Sequence, residues 1–144
     1  MNISAFATCL NVKDLYASSE FMKEHFGFEE ELTAEGFISL IHPKTGQRLI
    51  YHEIGLDILP DYIKYEHEKG IILTFIVSNI EEVASMLKDK GIFFTTPLRT
   101  EAWGEKLFLI KDPNGVVIEI AEWDRQTDTQ TAKDSNCLNI LKDD

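Results

Sequence analysis

Glu119 is the residue in this chain that most needs explaining. It sits in "KDPNGVVIEIAEW", residues 111–123, where a tight turn, Asp112-Pro113-Asn114-Gly115, opens onto an apolar, β-branched strand. A carboxylate in such a strand is costly unless something receives it. Three roles suit it. It can hydrogen-bond to a structural partner such as Thr74, His52 or water; it can meet a donor or cationic group of a ligand; or it can act as a general base with a raised pKa. The other residue types able to do chemistry are spread along the chain: Cys9, His42, His52, Thr74, Trp103 and Lys106. Trp103, in the loop "PLRTEAWGEK", is placed either to stack on a planar or sugar-like ligand or to cover the core. Lys106 is expected to reach a cleft mouth or to pair with a nearby Glu. No nucleophile elbow, phosphate loop or convincing His-Asp-Ser order appears.

The elements that must position these residues read β-α-β-β-β twice. Residues 3–12, "ISAFATCLNV", form a strand, and Asp14 caps a helix over "DLYASSEFMKEHF" that Gly27 ends. "FEEELTAEGFISLIHPKTGQRLIYHEI" holds three short strands broken near Glu35-Gly36 and at Pro43-Lys44-Thr45-Gly46. "GLDILPDYIKYEHEK" reads as a connection with one short helix. After Gly70, "IILTFIVS" is a strand, and Asn79 with Glu82 makes a capping box for a helix with an Ile80, Val83, Ala84, Leu87 stripe. "IFFTT", "EKLFLIK" and "VVIEIAEW" are then three more strands. Val12-Lys13-Asp14-Leu15 matches Val77-Ser78-Asn79-Ile80, and the two turns match each other. The expected fold is α+β: two βαβββ modules forming paired curved mixed sheets around a cleft, with helices on the outer faces. Module one is 3–54, the linker 55–69, module two 70–123, and 124–144 a polar tail that is loose or docks through Leu138, Ile140 and Leu141.

Strand parity assigns the cleft lining. Ala7, Cys9 and Asn11 line it from the first strand, and Ile50 and His52 from the last strand of module one. Ile72, Thr74 and Ile76 line it from the first strand of module two, and Val117, Glu119, Ala121 and Trp123 from the last. Mainly apolar with a few polar handles, this is the make-up of a small-molecule pocket. The net charge of −11 argues against nucleic acid. No apolar run approaches a membrane span. "MNISAFATCL" has neither a basic n-region nor a long apolar h-region, so the expectation is a cytoplasmic protein in which Cys9 and Cys137 are reduced thiols.

Two stretches carry a family resemblance. "NVKDLYASSEFMKEHFGF" is similar to V-x-D-L-x-x-S-x-x-F-Y-x-x-x-L-G-F, and "WGEKLFLIKDPNGVVIEIAEW" to W-G-x-x-x-F-x-x-D-P-x-G-x-x-I-E-L. Over residues 3–123 the chain resembles the vicinal-oxygen-chelate superfamily, which includes glyoxalase I, ring-cleaving dioxygenases, and fosfomycin- and bleomycin-resistance proteins. The resemblance implies paired βαβββ modules and often a homodimer. It also implies four places for metal ligands, which fall here on Ala7, Ile50, Ile72 and Glu119.

Three of those four side chains are hydrocarbon, so no cofactor is expected. The expected function is a metal-independent small-molecule-binding protein resembling bleomycin-resistance proteins, with its ligand held in the inter-module cleft by Cys9, Ile50, His52, Thr74, Trp103, Lys106 and Glu119. The alternative is a lyase, isomerase or dioxygenase with one divalent metal displaced onto His52 and Glu119, with His42 more distant; a third is an accessory module with a vestigial cleft. No nucleic-acid or membrane partner is expected. The homodimer is checked by sedimentation at micromolar concentration: a dimer is the expected species, and a clean monomer contradicts it.

Overall fold

A computed structural model describes residues 1–123. The tail expected at 124–144, and Cys137 with it, lies outside the described residues. The described chain is α+β: ten elements form two four-stranded mixed sheets and two helices. They fall into two compact units. Among the described residues, the first is Met1–Ile71 with Asp112–Val116; the second is Ile72–Lys111 with 117–123.

In the first unit β1 (Ala7–Val12), β2 (Glu29–Ala34), β3 (Phe37–Ile41) and β4 (Arg48–Glu53) are ordered β1-β4-β3-β2. β1 runs parallel to β4, and the other two pairings are antiparallel. β1 begins at Ala7 rather than at residue 3. Helix α1 (Leu15–Phe26) starts where the Asp14 carboxylate accepts a hydrogen bond from Ala17 N at 3.1 Å, and it ends at Gly27, whose φ of 71° suits a residue without Cβ. The α1 side chains Leu15, Phe21 and Met22 are buried, and the helix packs on β3 and β4. Leu10, Val12, Ile38, Leu40, Leu49 and Tyr51 form the core on that side of the sheet.

The expected short helix in the connection is a chain of separate turns, closed by Leu59 N to Leu56 O, Ile63 N to Pro60 O and Glu66 N to Ile63 O. Each turn fixes several dihedrals for a single hydrogen bond, and the segment is too short to propagate. The connection straps the outer edge of β1. Glu68 N donates to Asn11 O at 2.7 Å, and the Asn11 amide donates to Ile63 O at 3.3 Å. That blunts an edge that would otherwise present free backbone groups.

The turn Asp112–Val116 belongs to this first unit and is held by a buried polar network. Asp112 is 5% exposed. Its Oδ1 accepts from Asn114 N and Val116 N at 2.8 and 2.9 Å, and its Oδ2 accepts from the buried Ser18 hydroxyl of α1. The Asn114 amide donates to Asp14 O and Ser18 Oγ, while its oxygen accepts from Asp14 N. A carboxylate this buried is tolerable because each oxygen is received. Beneath the sheet Tyr51 is fully buried, and burial together with the Asp112 charge pushes its phenol far above the ordinary range.

The second unit repeats the order: β5 (Ile72–Ile76), β6 (Thr96–Thr100), β7 (Lys106–Lys111) and β8 (Val117–Glu122) lie as β5-β8-β7-β6. Helix α2 (Ile80–Asp89) has the expected Asn79 cap, with Glu82 N donating to Asn79 Oδ1; the Glu82 carboxylate returns to the Asn79 side-chain amide instead of the backbone N–H of a capping box. The Glu122 carboxylate takes a further end donor, Ile80 N, at 2.9 Å. Ile80, Ala84 and Leu87 are buried, as are Leu73, Phe108, Ile110, Ile118 and Ile120.

One strand differs from expectation. "IFFTT" is mostly irregular, with Phe93 80% exposed and Phe94 stacked on Phe108 at 4.3 Å. The strand is instead Thr96–Thr100, through Pro97. Proline lacks a donor, but β6 is an edge strand whose register shifts between Thr96 and Arg99, so it is accommodated there.

Removing the Asp112 carboxylate leaves Ser18, Asn114 N and Val116 N without their acceptor. Asp112→Ala is expected to lower unfolding stability by about 3 kcal/mol in urea melts, with little change in slope. A loss below about 0.5 kcal/mol contradicts the network's role.

Candidate functional site

One face of each sheet packs under its helix; the other is open. In the first unit the registers arrange the open face as three rows across β1, β4 and β3: Ala7, Arg48, Ile41; then Cys9, Ile50, Ser39; then Asn11, His52, Phe37. Cys9 and Ile50 are therefore direct neighbours, as expected from parity. The Cys9 thiol is exposed, and partial desolvation raises its pKa, so it stays protonated near neutrality. His52 lies half-buried with its ring 5.9 Å from that of Phe37, tilted by 37°. Burial lowers the imidazole pKa, so the ring is neutral at pH 7.

Sequence reasoning missed two charged residues on this face. Arg48 Nε lies 2.9 Å from Glu31 Oε2, and Arg48 Nη2 lies 2.9 Å from Glu31 Oε1. The pairing holds Glu31 below and Arg48 above their usual pKa values, through hydrogen bonding first and charge second. Ser39 donates to the same carboxylate at 3.4 Å. Arg48 was legible, since it shares parity with Ile50 and His52. Glu31 was not, because it is the extra residue of a β-bulge between Glu30 and Leu32. His42 is occupied elsewhere: its Nδ1 accepts from Thr45 N at 3.3 Å, and its ring packs edge-on to Phe28.

In the second unit the face away from α2 carries Ile72, Thr74 and Ile76 of β5, Val117, Glu119 and the buried Ala121 of β8, and Leu107 and Leu109 of β7. Ile72 is 54% exposed and Ile76 42%. Glu119 is half-buried opposite Thr74 on one side and Leu109 on the other. Among the described residues its carboxylate has no hydrogen-bond partner, Thr74 included. Desolvation raises its pKa first, and the nearby Glu105 charge adds to that. Glu105 is itself held by Trp103, whose Nε1 donates to it at 2.8 Å while the indole remains exposed. Lys106 follows the second of its two expectations: it shares parity with Phe108 and Ile110 on the helix side and pairs with Glu81 of α2 at 2.9 Å.

The comparisons with known proteins agree with this architecture. The family model of the Glyoxalase/Bleomycin resistance protein/Dioxygenase superfamily matches residues 4–120. The chain belongs to this superfamily. A solved superfamily protein from Nocardioides is 22% identical, with a TM-score of 0.69 and 85% of each chain covered. A lactoylglutathione lyase from Agrobacterium tumefaciens is 20% identical, with a TM-score of 0.65 over 85% of this chain and 96% of that one. An integron cassette protein from the mobile metagenome of V. cholerae is 24% identical, with a TM-score of 0.65 over 86% and 98%. At these identities the likeness shows the fold alone. A search of curated proteins returned no significant match.

The superfamily's metal places do not fit a metal here. Ala7, Ile50 and Ile72 offer only hydrocarbon, Glu119 offers one carboxylate, and a protein-bound dication takes four to eight donors. Among the described residues no three of His, Cys, Asp and Glu converge to hold an ion.

Because the folded state disfavours ionised Glu119, its contribution to stability falls as pH rises from the unfolded carboxylate value of about 4.3 through the raised folded one. Glu119→Gln removes that penalty. The variant is expected to melt at or above wild type at pH 7, with the gain vanishing at pH 3. A variant destabilised at pH 7 contradicts this reading.

Proposed function

We propose that the protein binds a small organic molecule without a resident metal and sequesters it rather than transforming it, as bleomycin-resistance-type members of the superfamily are expected to do. The observation that carries this reading is hydrocarbon at three of the four metal places, on sheets whose helix-free faces leave Cys9, Ile72 and Ile76 exposed. An apolar face with a few fixed polar groups suits ligand recognition. Ile50, Cys9 and the Phe37–His52 ring pair supply contact area in the first unit; Ile72, Thr74 and Glu119 supply area and a polar handle in the second. A carboxylate with no partner among the described residues is suited to a ligand's donor. As a general base it has, among the described residues, a second carboxylate, Glu105, as its charged neighbour and no electrophilic partner. The homodimer stands as part of the same proposal.

Elemental analysis of protein purified without chelator tests this. Less than about 0.1 divalent metal per chain is expected, and ligand affinity should be unchanged by EDTA. About one metal per chain, lost in both Glu119→Gln and His52→Ala, overturns the proposal in favour of a displaced-site lyase, isomerase or dioxygenase.

A further inference from the structure

The Arg48–Glu31 fork leaves one edge of the guanidinium unused. Glu31 takes the side edge, Nε and Nη2. A guanidinium has five N–H donors in a plane, so the end edge still offers Nη1 and the second Nη2 hydrogen as two parallel donors. Among the described residues nothing else bonds to Arg48. The fork also fixes where that edge points, so the entropy of ordering a long side chain is already spent before any ligand arrives. The β-bulge that turns Glu31 toward Arg48 is a device found often beside binding sites.

Along β4 the same face continues from Arg48 to Ile50 and then to His52 beside Phe37. Four residues of strand separate the charged end from the ring end, roughly 13 Å of backbone. Between them, among the described residues, lie Ile50, the Cys9 thiol and Ser39, which also donates to the Glu31 carboxylate. The face thus carries the Arg48–Glu31 ion pair at one end, Ile50 in the middle and the Phe37–His52 rings at the other.

We propose that Arg48 is an anion-binding residue and that the ligand of this face is an amphiphilic carboxylate, its carboxylate on the free guanidinium edge and an apolar, ring-bearing body over Ile50 toward Phe37 and His52. This rests on the small-molecule reading above and names its ligand class. A carboxylate matches the two parallel N–H groups of that edge, and a bidentate contact there is directional as well as charged. The chain's net charge of −11 repels anions at long range. That term is screened within about 8 Å at physiological salt, whereas the two hydrogen bonds act at contact.

The test uses 6-phenylhexanoate and its neutral isostere 6-phenylhexanamide, titrated into the full chain by calorimetry in 150 mM salt. Wild type is expected to bind the acid at least about tenfold more tightly than the amide. In Arg48→Gln the preference is expected to collapse to about one, with amide affinity unchanged. Arg48→Lys, which keeps the charge and loses the planar edge, is expected to fall between; a thermal melt of each variant reports that the fold is intact. Equal binding of acid and amide by wild type overturns the Arg48 assignment and leaves the small-molecule reading standing, as does a preference that survives in Arg48→Gln. Binding of neither probe at millimolar concentration overturns both.

Discussion

Side chains on a strand alternate between two faces, and in both sheets of this protein one face is already taken by a helix. That constraint decides what the other face can present. α1 commits Leu10, Val12, Leu49 and Tyr51 to the core, so Cys9, Asn11, Arg48, Ile50 and His52 must point away from it. α2 commits Leu73, Ile118 and Ile120, which turns Ile72, Thr74 and Glu119 outward. A one-residue slip in either sheet would bury Glu119 or Arg48 under a helix and expose the core, so the register of the site residues is protected by the whole hydrophobic energy of the unit.

The buried carboxylate of Asp112 fixes the local frame around α1. It ties the turn that leads into β8 to the first turn of that helix, and Asn114 completes the bond set on Asp14. The turn residues are thus specified twice, by the tight bend at Gly115 and by α1's need for partners. Glu119 lies four residues beyond Gly115, in the strand that follows that turn. The contrast between the two acids is instructive. Asp112 is buried with every oxygen received, whereas Glu119 is half-buried, has no donor among the described residues, and has its pKa displaced upward. The first is structure; the second is the residue we propose for a ligand.

Much of this was written in local sequence. The caps at Asp14, Asn79 and Gly27, the turns and the two-fold repeat gave the α+β modules, because each rests on short-range chemistry. Parity gave Cys9, Ile50, His52, Thr74 and Glu119 their faces; Lys106, expected at a cleft mouth or paired with a Glu, lies on the helix side with Phe108 and Ile110, where Glu81 meets it. What escaped depended on neighbours distant in sequence. The strand through Pro97 is set by its edge position beside β7 and not by the apolar "IFFTT" before it. The Glu31 bulge arises from how β2 fits β3, which no periodicity in "EEEL" reveals. With Glu31 hidden, nothing in the sequence singled out Arg48.

We propose that these faces recognise an organic ligand through their own side chains. Amide chemical-shift mapping of isotopically labelled protein, titrated with a carboxylate probe such as 6-phenylhexanoate in excess chelator, tests it most directly. The account expects saturable shifts concentrated at Cys9, Arg48, Ile50 and His52, unchanged when the chelator is replaced by a divalent metal. Shifts that appear only with added metal, or that cluster away from the open faces, would contradict it.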